Sequence, residues 1–399
     1  MTETYEAERL ILERMPSAAA CRERLEHCVD RVLAEDVFAE RDQPPFDRVT
    51  MDGIAIAYRD WSSGTRRFTA AGTQAAGAAQ LTLPGPGRCI EVMTGAIMPA
   101  GCDTVIPVER VERRGEEIEV RLEAEVTERQ FVHPQGSDRR KGARVLARGT
   151  RIGPPEMAVL ASAGCAEVAV AALPRIAVIS TGDELVDVGE PLAPHQIRSS
   201  NDRAIEAALL RERLAVVSRT RLPDDERALL DAIQRLHAEH DALILSGGVS
   251  MGQFDYVPAV LDRLGATLVF HKIEQRPGRP MWFGVSGDGK PVFALPGNPV
   301  STLVCVTRYV LPALRASLGL EPFVVEYAVL TAPVTMPARL TYFMPVVVES
   351  TSDGVLHATP RPTNTSGDFI TLAGTAGFVE LPHGPPAYPE GASARLYRW

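Results

Sequence analysis

The chain has 399 residues, 45% apolar and 23% charged, with a formal net charge of −9. That length calls for about two to three domains rather than one. The ordinary apolar content excludes a disordered chain, and the negative charge repels nucleic acid and anionic membrane surfaces. Lysine occurs only at 141, 272 and 290, so any oxyanion ligand needs a local pocket built mostly of arginine. The cysteines at 21, 28, 89, 102, 165 and 305 show neither CxxC nor zinc spacing, which suits a reducing cytoplasm. Glu3, Glu6 and Glu8 precede any apolar run and argue against a secretory signal. The most apolar window, 154–174, contains Glu156, Gly164 and Glu167, so it reads as a buried helix and strand and not as a bilayer span.

In chain order, residues 1–43 and 140–172 have helical character and form an elongated stem. Between them, 44–139 has short strand-like runs broken by Gly and Pro, glycine-rich at 72–87, and reads as an inserted small β domain. Residues 173–320 alternate strands and helices. Arg175 to Ser180 is a buried parallel strand, and Asn201 can cap a helix carrying Ile205, Leu209 and Leu210. A strand over 215–222 follows, then a helix over 224–240, a strand over 241–246 and a helix over 256–264. A strand over 291–295 comes next, and Pro299 opens a long helix through Leu318. This alternation predicts a doubly wound α/β domain. From 321 to 399, short strands and turns predict a C-terminal β-barrel. The fold class is therefore α/β multidomain.

In doubly wound sheets ligands bind beyond the carboxyl ends of the strands. Three loops occupy that position: Ser180-Thr181-Gly182-Asp183-Glu184, Ser246-Gly247-Gly248-Val249-Ser250-Met251-Gly252 and Leu295-Pro296-Gly297-Asn298-Pro299. Paired glycines let backbone N–H groups approach a phosphate at a helix N-terminus; the same pair also suits a tight turn with positive φ. Asp255 suits a helix cap or a metal bound to phosphate. Asp183 and Glu184 suit metal binding, hydrogen bonding to a pterin ring or acid–base work, and equally an exposed turn. Lys272, Arg276 and Arg279 either bind a tetrahedral oxyanion or form a solvated hairpin.

Taken together, the stretches Pro45-Phe46-Asp47…Met51-Asp52-Gly53, Met93 to Glu109, Ser180 to Leu185, Ser246 to Tyr256, Arg276 to Pro280 and Leu295 to Ser301 resemble the molybdopterin molybdenumtransferase family. That family is shared with the C-terminal domain of gephyrin. The resemblance implies an α/β pterin-binding domain, a helical stem, an inserted small β domain and a C-terminal β-barrel. It implies a cytoplasmic homodimer with the site between subunits and no membrane span. A molybdopterin adenylyltransferase and molybdoenzymes are the expected partners. The implied reaction inserts molybdate into adenylated molybdopterin and releases AMP with magnesium.

Residue by residue, the resemblance carries functional roles to Asp52, Thr94, Asp138, Glu184, Asp224 and Asp255. Asp224 and Asp255 are the magnesium candidates, being hard oxygen ligands. Thr181, Gly182, Asp183, Ser246, Gly247, Gly248 and Ser250 are assigned to substrate. Lys272, Arg276, Arg279, Pro296, Gly297, Asn298, Pro299 and Ser301 line the phosphate and molybdate pocket, with Arg339 and Ser366 from the C-terminal domain. Ile54 stands where the family commonly has Tyr, and Met344 where it has Arg. Ser366-Gly-Asp368 stands where it has Gly-Ser-His, and Arg276 and Arg279 stand where Lys is common. Two other readings use the same motifs: an adenylyltransferase that activates molybdopterin, and a diverged, non-catalytic cofactor-binding scaffold.

Overall fold

A computed structural model describes residues 1–121, 123–249, 256–336 and 339–399. The chain forms two compact units, one of residues 1–34, 149–153 and 168–399, the other of 35–148 and 154–167.

The first unit is organised by a six-stranded sheet in the order 216–222, 175–181, 242–246, 291–295, 282–285, 267–271. Its first four strands are parallel and the last two antiparallel. Ile176, Val178, Ile244 and Phe293 face one apolar core, while Ala177, Ile179, Leu245 and Val292 face another. A parallel strand covered on both faces reads as a continuous apolar run, which is why Arg175–Thr181 carries no polar alternation. The helices Asn201–Arg211, Glu226–Glu239, Val257–Arg263 and Pro299–Cys305 follow the predicted order.

The 267–271 and 282–285 strands pair antiparallel on either side of Lys272, Arg276 and Arg279, the hairpin that the sequence offered as one alternative there without giving strand bounds. The helix opened by Pro299 also differs from a regular α-helix, because residues Val306–Val310 form a π turn before helix Leu311–Ser317. The helix predicted to follow Pro154 is present over Pro154–Ser162, but only Leu160 in it is buried.

Strands Glu326–Leu330, Thr341–Ser350, Leu356–Pro360, Gly377–Leu381 and Ser393–Arg398 close into a five-stranded barrel. Pairing of 341–350 with 377–381 completes the ring. Its interior holds Leu330, Met344, Val346, Val379 and Leu396. Met344, at a position where a cation was the family expectation, is therefore a barrel-core side chain, 4% exposed. The short strand Gln275–Arg276 adds in parallel to Thr341–Tyr342 and fastens the cationic loop to the barrel.

The second unit contains a six-stranded sheet in the order 104–107, 53–56, 88–92, 67–74, 117–120, 111–114. Ile54 packs there with Trp61, Phe68 and Ile106. The Tyr-to-Ile departure thus gives an apolar core residue. Among the described residues no helix is long and apolar enough to cross a membrane.

Candidate active site

Strands 175–181, 242–246 and 291–295 are neighbours, with Ser180 opposite Ser246 and Ser246 opposite Leu295. Their carboxyl ends therefore bring the three loops together. They border a cavity of about 690 Å³ lined by Thr181, Gly182, Glu184, Asp224, Ser246, Gly247, Gly248, Pro296, Gly297, Asn298 and Pro299. Two of its hydroxyls, Ser180 Oγ and Thr181 Oγ1, are buried with no hydrogen-bond partner among the described residues. Buried donors are rarely left unmatched.

One amide of the glycine pair is engaged within the fold. Gly247 N–H donates to Leu295 O at 3.2 Å, so that amide holds the two loops together. Gly247 and Gly248 have φ of +103° and +66°, where side chains are disfavoured. A Cβ on Gly247 would lie 2.7 Å from Thr181 O.

Asn201 replaces the predicted cap with a cross-tie. Its Nδ2 donates to Ser246 Oγ at 2.8 Å and to Gly297 O at 2.7 Å, binding the second loop to the third. The sequence marked Asn201 only as a helix start, because its partners lie 45 and 96 residues away. Asp225 caps the 226–239 helix, accepting from Ala228 N. That leaves Asp224 at the cavity edge, its amide donating to Asp183 Oδ1 at 3.1 Å. Asp183 itself, with Gly182, lines an adjoining open cleft.

A cavity of about 330 Å³ shares Pro296 and Asn298 with the larger one. It is lined by Arg276, Arg279, Ser301 and Ser366. Arg276 and Arg279 are exposed on this loop, and Arg279 Nε lies 3.1 Å from Met1 Sδ. Asn298 Nδ2 donates to Ser366 Oγ at 2.8 Å, and Val300 N donates to Ser366 O at 3.1 Å, so the C-terminal loop closes one wall. The Asp368 carboxylate is occupied within its own turn, accepting from Thr371 Oγ1 at 2.8 Å and from Asn364 N at 3.1 Å. These bonds, the Thr371 hydroxyl first, hold its pKa below the ordinary carboxylate value.

Lys272 and Arg339 line neither cavity. Lys272 closes a turn with φ +79°, its amide bonded to Met281 O. Arg339 is exposed beside Leu340, which does line the smaller cavity. Ser250 and Asp255 lie outside the described residues.

Asp52, Thr94 and Asp138 belong to the other unit. Asp52 Oδ1 accepts from Thr94 N at 2.6 Å and Thr94 Oγ1 at 2.8 Å. Both bonds, the backbone one first, lower the Asp52 pKa. Thr94→Val removes the hydroxyl donor and should raise the Asp52 pKa measured by carboxylate NMR titration; an unchanged value would remove the bond from the account. The Asp52–Thr94 contact contributes to stability fully above the ordinary carboxylate range, about pH 4. It is lost as pH falls through the depressed value. Asp138 Oδ1 pairs with His133 Nε2 at 2.9 Å, and Arg48 Nη2 lies 3.1 Å from His133 Nδ1. Since Arg only donates, Nδ1 accepts and Nε2 carries the proton toward Asp138.

Among the described residues, no group of three or more His, Cys, Asp or Glu side chains converges as a metal site.

Comparison with known proteins bears on the family and the fold. Residues 2–164 match the MoeA N-terminal region (domain I and II), 177–316 a probable molybdopterin binding domain, and 327–399 the MoeA C-terminal region (domain IV). The chain is 40% identical over 370 residues to a molybdopterin molybdenumtransferase of Synechocystis, covering 92% of each. It is 32% identical over 381 residues to one of Bacillus subtilis, covering 93% of this chain and 88% of that one. A solved molybdopterin biosynthesis MoeA protein from Pyrococcus horikoshii superposes with a TM-score of 0.86 at 31% identity, over 100% of this chain and 99% of that one. Identity at this level over nearly the whole length, with all three regions in order, means that the chain belongs to the molybdopterin molybdenumtransferase family.

Proposed function

We propose that this protein inserts molybdenum from molybdate into the dithiolene of adenylated molybdopterin, with release of AMP. The observation that carries this reading is the pair of adjoining cavities joined at Pro296 and Asn298. One is walled by glycines, hydroxyls and an Asn, and the other presents Arg276 and Arg279. In a chain of net charge −9, two arginines on one small cavity select an anion. The larger cavity suits a flat, polar pterin with its phosphate, and the smaller suits a compact tetrahedral oxyanion.

The reacting groups are a dithiolate, a phosphoanhydride and molybdate, all anionic, so the first task of the site is to reduce repulsion. Arg276 and Arg279 lower the cost of bringing molybdate beside the pterin. Ser180, Thr181 and Ser246 offer hydroxyls that orient the larger substrate. Asp224 and Asp255, as hard oxygen donors, would hold magnesium in this reading; of the two, Asp224 lies at the edge of the larger cavity. When bound, that ion neutralises phosphate charge. Water breaks the anhydride, and no protein nucleophile is required. A homodimer with its site between subunits, in the cytoplasm, completes the reading.

Adenylation of molybdopterin needs only an α/β domain and leaves residues 2–164 and 327–399 without a role. The test is AMP release from adenylated molybdopterin with magnesium, with and without molybdate. Wild type should release AMP in a molybdate-dependent way. Arg276→Ala should raise the molybdate requirement by about ten- to a hundredfold, the scale of one lost charge-assisted contact. Tight pterin binding by wild type without AMP release would sink the proposal in favour of a binding protein.

A further inference from the structure

Beneath the cationic loop lies a buried polar cluster that the chemistry above does not use. Gln275 is 0% exposed, and the 299–317 helical run sets Cys305, at 0%, and Tyr309, at 1%, against it. The π turn over Val306–Val310 contains Tyr309 and its buried neighbours. Such turns interrupt the regular helical spacing of side chains.

The Tyr309 hydroxyl donates to Gln275 Oε1. Gln275 Nε2 donates to Pro277 O at 3.0 Å and approaches Cys305 Sγ at 3.6 Å. The Cys305 thiol approaches Gly278 O at 3.6 Å. Both inner carbonyls of the turn from Arg276 to Arg279 are thus held from below by side chains. The turn also lies flat on them. Gly278 has φ +91°, and a Cβ there would fall 2.6 Å from Gln275 Nε2 and 2.7 Å from Cys305 Sγ.

An apolar core would accept Leu or Met at these places with no desolvation cost. Polar groups are tolerated there because each satisfies another. Gln275 uses its acceptor on Tyr309 and its donors on the loop and the thiol, a nearly complete inventory for one amide. Burial raises the Tyr309 pKa well above its ordinary value, so the phenol remains a donor at any working pH. The chain of contacts ends on the loop that presents the two arginines.

We propose that Tyr309, Gln275 and Cys305 are positioning residues that hold the Arg276-to-Arg279 turn in its oxyanion-binding shape and so set the affinity for molybdate. The inference rests on the transferase reading above. Tyr309 acts through Gln275 and not on the ligand. Its loss therefore changes molybdate binding and leaves the pterin cavity as it was.

The experiment measures AMP release against molybdate and against adenylated molybdopterin, and titrates molybdate alone by calorimetry. Wild type is compared with Tyr309→Phe, Gln275→Met and Leu314→Ala. Leu314 lies in the apolar core on the same helical run, so its variant is a control for lost packing. Tyr309→Phe should raise KM and Kd for molybdate about tenfold, the scale of a buried acceptor left unmatched. Its kcat at saturating molybdate and its KM for the pterin should stay at wild-type values. Gln275→Met should weaken molybdate binding further, and Leu314→Ala should lower only the unfolding temperature. Unchanged molybdate constants in Tyr309→Phe, or equal weakening in Leu314→Ala, overturn the proposal. If wild type releases no AMP, the transferase reading fails and calorimetry alone judges the clamp. Weaker molybdate binding in Tyr309→Phe then supports it, and equal or absent binding in both proteins overturns it.

Discussion

Arg308→Met should lower the unfolding free energy by about 3–5 kcal/mol, the cost of stranding a buried charge. Arg308 is 0% exposed, with Nη1 2.8 Å from Glu8 Oε2 and Nε 3.7 Å from Glu380 Oε2. None of its guanidinium nitrogens is aligned for a full hydrogen bond, so the pairing is mainly Coulombic. Burial opposes the charge, but the Glu380 carboxylate, and after it Glu8, raise the pKa above its ordinary value. The Tyr397 and Tyr5 rings add faces at 5.1 Å and 5.5 Å, within cation–π range.

Removing the cation leaves Glu380, 2% exposed, with the Tyr397 hydroxyl at 2.7 Å as its side-chain hydrogen-bond donor among the described residues. Arg308→Met combined with Glu380→Gln should recover much of the loss, because the stranded charge is gone. Urea unfolding followed by fluorescence in a Trp61→Phe background reads Trp282 and Trp399, both in the unit that holds Arg308. A single-variant loss under about 1 kcal/mol would assign the triad to the near-neutral class of ion pairs.

Gly247→Ala should cut AMP release by about a hundredfold, the scale of a misplacement near 1 Å in a site. Its Cβ would meet Thr181 O at 2.7 Å and Thr181 Oγ1 at 2.9 Å, with φ at +103°. The backbone carbonyl is not a flexible side-chain end, so the two loops must part. That movement opens the Gly247–Leu295 bond and shifts Ser246, the partner of Asn201. Gly289→Ala is the matched control: it has φ +86° and open space around its Cβ. The control should lose about 1–3 kcal/mol of stability through backbone strain and keep its activity. Equal activity in the two variants would show that the loop junction does not govern the reaction.

Much of the α/β domain was legible because its signals are local. Arg175–Thr181, Ala242–Ser246 and Pro291–Leu295 are apolar runs that end in turn residues, and their order places the three loops at one sheet edge. The 267–271 and 282–285 hairpin was open in the sequence only as one alternative around Lys272, Arg276 and Arg279, without strand bounds. Its strands flank the Gly- and Pro-bearing turn 276–280. The long connection between them and a register irregularity between Leu268 and Phe270 obscured the strand bounds.

The sequence by itself determined which chemistry stands at the strand ends: hydroxyls and carboxylates after 175–181, paired glycines after 242–246, and a Pro-Gly-Asn turn after 291–295. It also determined where the arginines of the cationic loop fall. Only the tertiary structure decided that Asn201 ties two loops instead of capping a helix, that Met344 is barrel core, and that Asp368 spends its oxygens on its own turn. It alone gathered Gln275, Cys305 and Tyr309 under the loop. Propensity and periodicity act over a few residues along the chain. A buried amide or carboxylate takes whatever partner the packed elements bring within bonding distance, and that partner is set by chain closure over tens of residues.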